Sequence, residues 1–132
     1  MKKLIGLGTS FVMVLALCLI SSLPIGEAAA NITFTATDVY LYDSAMRIDG
    51  YYMNDGDVAG TVKDVSMDVS VEDEDGNGIT QQHCVFGGAL CYVASGAQVP
   101  HSFTIHSSSI PAYDGQIHWN VHTHIIWNNW NS

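Results

Sequence analysis

Six histidines are spread over 132 residues, and three of them crowd one short run near the C-terminus. His118, His122 and His124 occupy even positions of QIHWNVHTHIIW, residues 116–127, whose odd positions are Ile117, Trp119, Val121, Thr123, Ile125 and Trp127. Read at period two, this is a strand with one apolar and one polar face, and the three imidazoles share the polar face. Residues two apart on a strand lie about 7 Å apart at Cα, close enough to share one ion. If the preceding strand folds back across the loop 107–114, His106 arrives beside His118 on the same face, with Asp114 close by. Imidazole and carboxylate donors of this kind suit copper, zinc or nickel. The same pattern also describes a solvated face on which histidine is merely a tolerated polar residue.

A second candidate is the acidic turn DEDGNG, residues 73–78. With Asp73 as the first position of an EF-hand loop, Asp75 and Asn77 fall at the third and fifth and Gly78 at the sixth. The twelfth position, which requires a bidentate glutamate, is Cys84, and strands rather than helices flank the loop. An acidic hairpin turn accounts for these residues. Weak calcium binding at an acidic loop end stays open, since Asp55 and Asp57 add carboxylates. Catalysis finds less support. Ser107, Ser108 and Ser109 follow His106 in a loop without a nucleophile-elbow sequence. Tyr51, Tyr113 and Trp130 are candidates for a sugar- or protein-binding patch, though single surface aromatics are common.

Cys84 and Cys91 flank VFGGAL, whose Gly87-Gly88 is a two-residue hairpin signal. Folding back on that turn sets the two cysteines opposite each other, and an even count in an exported chain favours a disulfide. Closing so short a loop would stabilise the fold by roughly 2–3 kcal/mol. Two free buried thiols are the alternative. The spacing matches neither a CxxC redox motif nor a zinc pattern.

The elements that must carry these groups are strands throughout. Ile32, Phe34 and Ala36 alternate with threonines, and the apolar phase then moves to Val39 and Leu41, which predicts a bulge near Asp38. Residues 46–53 alternate again, before the turn Asn54-Asp55-Gly56-Asp57. Val65, Met67, Val69 and Val71 face away from Asp64, Ser66, Asp68, Ser70 and Glu72 in the cleanest alternation of the chain. Residues 79–86 and 89–93 form the cysteine hairpin, and His101, Phe103 and Ile105 define a sixth strand before the histidine-bearing seventh. No stretch after residue 30 has a helical period. Short strands with turns about every ten residues predict an all-β antiparallel sandwich of about seven strands.

Lys2 and Lys3, the apolar run from Leu4 to Ile20, and Ala28-Ala29-Ala30 together read as a secretory signal peptide over 1–30, cleaved after Ala30. An uncleaved anchor is the alternative, since the run is barely long enough to span a bilayer. The remainder, 31–132, is one domain and is expected to be secreted. The chain carries 13 acidic and four basic residues, a net charge of −9 with neutral histidine. Loss of the leader removes Lys2 and Lys3 and leaves Arg47 and Lys63 as the only basic side chains. Such a balance argues against nucleic acid or an anionic membrane as partner and favours cations or a basic protein or cell surface.

Two segments resemble known families. Residues 48–79, with Gly50, Asn54, Val65, Val69, Val71, Asp73, Asp75 and Gly76, resemble the front half of FxLYD-type bacterial extracytoplasmic domains. Residues 94–126, with Gly96, Pro100, Phe103, Pro111, Gly115, Ile117, Trp119 and Val121, are similar to the end of an arrestin-like sandwich. Both resemblances imply immunoglobulin-like architecture, and neither brings a catalytic residue. The expectation is a secreted, non-enzymatic binding or structural module. A metal-binding protein using His106, His118, His122 and His124 is the alternative, with a carbohydrate-binding module third.

Overall fold

The computed structural model describes residues 28–130. The leader expected over 1–30 therefore lies outside the described residues except for its last three. Six strands follow in chain order: β1 (Ile32–Tyr42), β2 (Ala45–Asn54), β3 (Gly60–Asp73), β4 (Gly78–Val93), β5 (Gln98–His106) and β6 (Ile117–Asn129). They build two three-stranded antiparallel sheets, ordered β1-β2-β5 and β4-β3-β6. The described residues form no helix. The structure is all-β, with two sheets enclosing one apolar interior.

The alternation in β3 shows how the sequence produces this. Val65, Met67, Val69 and Val71 are at most 1% exposed, while Asp68, Ser70 and Glu72 face solvent. Burying each such apolar side chain stabilises by about 1.5–3 kcal/mol. The opposite sheet contributes Met46, Ile48, Phe103 and Ile105, and Phe34, Tyr52 and Phe103 meet edge-on with ring centroids 5.1–6.3 Å apart. Val69→Asp would put an unpaired charge at the centre of that interior. The expected bulge is present: Ala36 faces Gly50 and Asp38 faces Asp49, leaving Thr37 without a partner in the ladder. Gly50 is required there, because a Cβ would run into the Thr35 carbonyl oxygen and the Phe34 ring.

Two expectations fail, and both corrections change the site. The cysteine hairpin does not form. β4 runs unbroken from Gly78 to Val93 along β3, so the sheets contain six strands rather than seven. Gly88 (φ 99°) and Ala89 (φ 59°) do adopt the left-handed conformation that the Gly-Gly signal implied. They use it for a bulge, in which residues 88–90 lie opposite Lys63 alone. Cys84 pairs with Met67 and Cys91 with Val62, five positions apart along β3. That separation is about 16 Å, far beyond disulfide reach, and both thiols are free among the described residues.

The second failure concerns the last two strands. β5 pairs with β2 and β6 with β3, so the loop between them crosses from one sheet to the other instead of closing a hairpin. The crossing is pinned where Ser107 N–H donates to Ser44 O (3.1 Å), Ser44 N–H to Ile110 O (2.9 Å), and Ile110 sits 1% exposed.

At the other end of the sandwich, Asn54 is wholly buried and ties three segments together. Its Oδ1 accepts from the Asn31 and Gly56 N–H groups, and its Nδ2 donates to Val58 O and Val93 O. The chain is hydrogen-bonded into the sandwich from Ala29 onward and buried at Ala30. Ala29 O accepts from Asp57 N–H (2.9 Å), and Ala30, 4% exposed, donates its N–H to Asn129 Oδ1 (2.9 Å).

Candidate functional site

The outer face of the β4-β3-β6 sheet carries the densest set of ionisable groups. It follows from register. The residues of β3 that point away from the core are Asp64, Ser66, Asp68, Ser70 and Glu72, and each lies between one residue of β4 and one of β6. Asp68 stands between His83 and His122. Glu72 faces His118, Ser66 faces His124, and Ser70 lies between Gln81 and Asn120. Neighbouring strands lie about 5 Å apart, so these side chains form cross-strand rows.

His83 Nδ1 approaches Asp68 Oδ1 to 2.7 Å, with both side chains more than half exposed. A pair so open to water contributes little to stability and leaves both groups accessible. Shallow depressions flank it. One is lined by Ser66, Asp68, His122, Thr123 and His124, and another by Ser70, Glu72, His118, Trp119 and Asn120.

Of the four histidines singled out from spacing, three share this face. His118, His122 and His124 are exposed on β6 as the alternation required. His106 is not with them. It ends β5, opposite Ala45, on the outer side of the other sheet. The predicted four-histidine site therefore does not assemble, because β5 and β6 belong to different sheets. His83 takes the place expected for His106. The alternation of residues 79–86 carries the signal for it, placing His83 on the outer face of that strand.

Among the described residues, no three His, Cys, Asp or Glu side chains gather closely enough to hold a metal ion. In the acidic turn, Asp73 Oδ1 accepts from the Asp75 and Asn77 N–H groups (both 2.9 Å), and Gly76 (φ 85°) completes the turn. The backbone amide of Asn77 leads the contacts that hold the Asp73 carboxyl below its ordinary range. That carboxylate serves the turn itself. On the other sheet, Asp49 accepts from Ser102 Oγ and from Arg47 Nε, which lowers its pKa in that order of effect.

The candidate aromatic patch is dispersed. Tyr51 lies on β2, Tyr113 bridges to Leu41, and Trp130 packs edge-on against Tyr92 at 5.2 Å beyond the end of β6. Ser109 accepts from Gln82 Nε2 (2.8 Å) and shares a hydrogen bond with Ser107.

Fold and surface together define a small two-sheet all-β domain with histidine–carboxylate rows on one outer face. No protein-family model, curated protein or solved structure matches the chain.

Proposed function

We propose that this protein is a secreted, non-enzymatic binding module of immunoglobulin-like sandwich type, working through the outer face of the β4-β3-β6 sheet. The observation that carries the reading is the register itself, which sets Asp68 between His83 and His122 and Glu72 beside His118. An interior filled by apolar side chains leaves the ionisable groups on the outside, where a partner can reach them. With 13 acidic residues against four basic ones, the partner is a basic protein or cell-envelope surface. Cosedimentation of the purified protein with washed envelopes of the producing cell tests this. Asp68→Asn/Glu72→Gln should weaken retention by at least about tenfold at low salt. Equal retention of that variant and wild type would remove the outer face from the reading.

A second reading, transition-metal binding, rests on the His83 imidazole and Asp68 carboxylate 2.7 Å apart, with His122 opposite Asp68 on the next strand as a third donor that would have to swing in. Copper and zinc suit such donors. Titration of the wild type and of His83→Ala and His122→Ala by calorimetry decides it. Absence of binding tighter than about 10 µM, or binding indifferent to both substitutions, would exclude it.

A further inference from the structure

β6 ends the β4-β3-β6 sheet with one side of its backbone unpaired by any strand among the described residues. Open edges usually carry a blocking feature. Three of the four edge strands here have one. β1 is broken by the bulge at Thr37 and carries Asp38, β5 contains Pro100, and β4 bulges at residues 88–90. β6 has none. It is 13 residues long, about 43 Å, without proline or any Asp, Glu, Lys or Arg. All 13 residues but none beyond them lie in the ladder with β3, and the one irregularity of that ladder falls on β3 at Lys63. A strip free of formal charge at neutral pH is conspicuous in a chain of net charge −9.

The sequence of this strip is partly palindromic about its midpoint, Thr123: two of the six pairs are identical and one is similar, while Asn120 and Ile126, His118 and Asn128, and Ile117 and Asn129 differ. Outward from Thr123 come His122 and His124, Val121 and Ile125, Asn120 and Ile126, then Trp119 and Trp127. An antiparallel pair of identical strands has a two-fold axis, so residue i of one copy faces residue 246 − i of the other when the axis passes at Thr123. All 13 residues then pair. On the inner face Trp119 meets Trp127, Val121 meets Ile125, and Thr123 meets itself. On the outer face His122 meets His124. The inner row is left half-buried in one copy, although Ile117, Trp119, Val121, Ile125 and Trp127 in it are apolar.

We infer that β6 is a self-complementary seam through which two copies join edge to edge, in the Thr123 register, into one continuous six-stranded sheet. The second copy covers the half-exposed row Trp119, Val121, Ile125 and Trp127. It also brings its own His122 and His124 beside those of the first copy, a cluster of four imidazoles that a single copy lacks. This inference is separate from the outer-face reading. A monomer that still binds envelopes through Asp68 and Glu72 would overturn the seam alone.

Sedimentation equilibrium on the exported chain, with chelator present, tests the seam. The wild type should be a dimer at about 100 µM, a concentration at which even micromolar self-association is complete. A monomer there overturns the inference. Two outer-face variants then test the register, at positions exposed in the single copy and therefore safe for folding. His122→Lys/His124→Lys sets lysine against lysine twice across the seam and should weaken the dimer about tenfold or more. His122→Lys/His124→Glu sets lysine against glutamate at both pairs and should restore it. Axes at residue 122 or 124 would instead bring like charges together in the second variant. Equal association of both variants, or a weaker dimer for the lysine–glutamate pair than for the double lysine, overturns the Thr123 register.

Discussion

Replacing Asn54 by alanine is the sharpest test of how the two sheets are locked together. The side chain is fully buried and makes four hydrogen bonds at 2.8–3.1 Å, two accepted by Oδ1 and two donated by Nδ2. Its partners are backbone groups of Asn31, Gly56, Val58 and Val93, which belong to the chain just before β1, the turn after β2, and the end of β4. At about 1 kcal/mol net for each bond, Asn54→Ala should cost about 4 kcal/mol. A domain of this size has about 5–15 kcal/mol in total, so about a quarter or more of its stability is at stake. With a urea m-value of about 1 kcal/mol per molar, the midpoint should fall by about 4 M. Tryptophan fluorescence and far-ultraviolet dichroism in a urea series at pH 7 read this directly. Asn54→Asp sharpens the result, because it keeps both acceptor contacts but turns a carboxylate toward the Val58 and Val93 carbonyls. It should destabilise at least as much as alanine. Gln81→Ala, on the exposed face of β4, serves as control and should stay within about 0.5 kcal/mol of wild type. A loss below about 1 kcal/mol for Asn54→Ala would refute the claim that this side chain joins the three segments.

Two further outcomes follow from buried polar groups. The Tyr52 hydroxyl is buried without a hydrogen-bond partner among the described residues, and burial pushes its pKa well above the ordinary value. Tyr52→Phe removes an unsatisfied group while keeping the ring contacts with Phe34 and Phe103, so stability should rise by up to about 1–2 kcal/mol; a loss above 1 kcal/mol in the urea series contradicts this. The half-buried His101 ring packs against Phe103 and Tyr52, and burial lowers its pKa. The unfolded chain then binds the proton more readily, so a cost appears as pH falls below the unfolded value of about 6.5 and levels off below the folded one. Urea midpoints between pH 7 and 5 should fall less steeply for His101→Phe than for wild type, and parallel profiles would contradict the assignment.

Alternation alone was enough to read most of the strands. The valine–aspartate period of β3, the phase change that marks the bulge at Thr37, and the two faces of β6 are local consequences of residue order. Burial of one face of a strand needs only that its side chains alternate, and this can be seen without knowing its neighbours. Three of the four candidate histidines were legible for the same reason.

Pairing was not legible in the same way. Gly87-Gly88 has the conformational freedom for either a turn or a bulge, and only the demand of β3 for a long continuous partner selects the bulge. That choice separates Cys84 from Cys91. Residues 107–116 could equally close a hairpin or cross between sheets. The burial of Ile110 and the Ser44 hydrogen bonds decide for crossing, which moves His106 away and leaves His83 beside Asp68. Asn54 likewise reads as a turn residue until β4 and the chain before β1 close over it. The sequence by itself determined which residues face in and which face out, because that is a property of one strand. Tertiary structure decided which strands lie side by side, because register is settled by the long-range burial that two sheets achieve together.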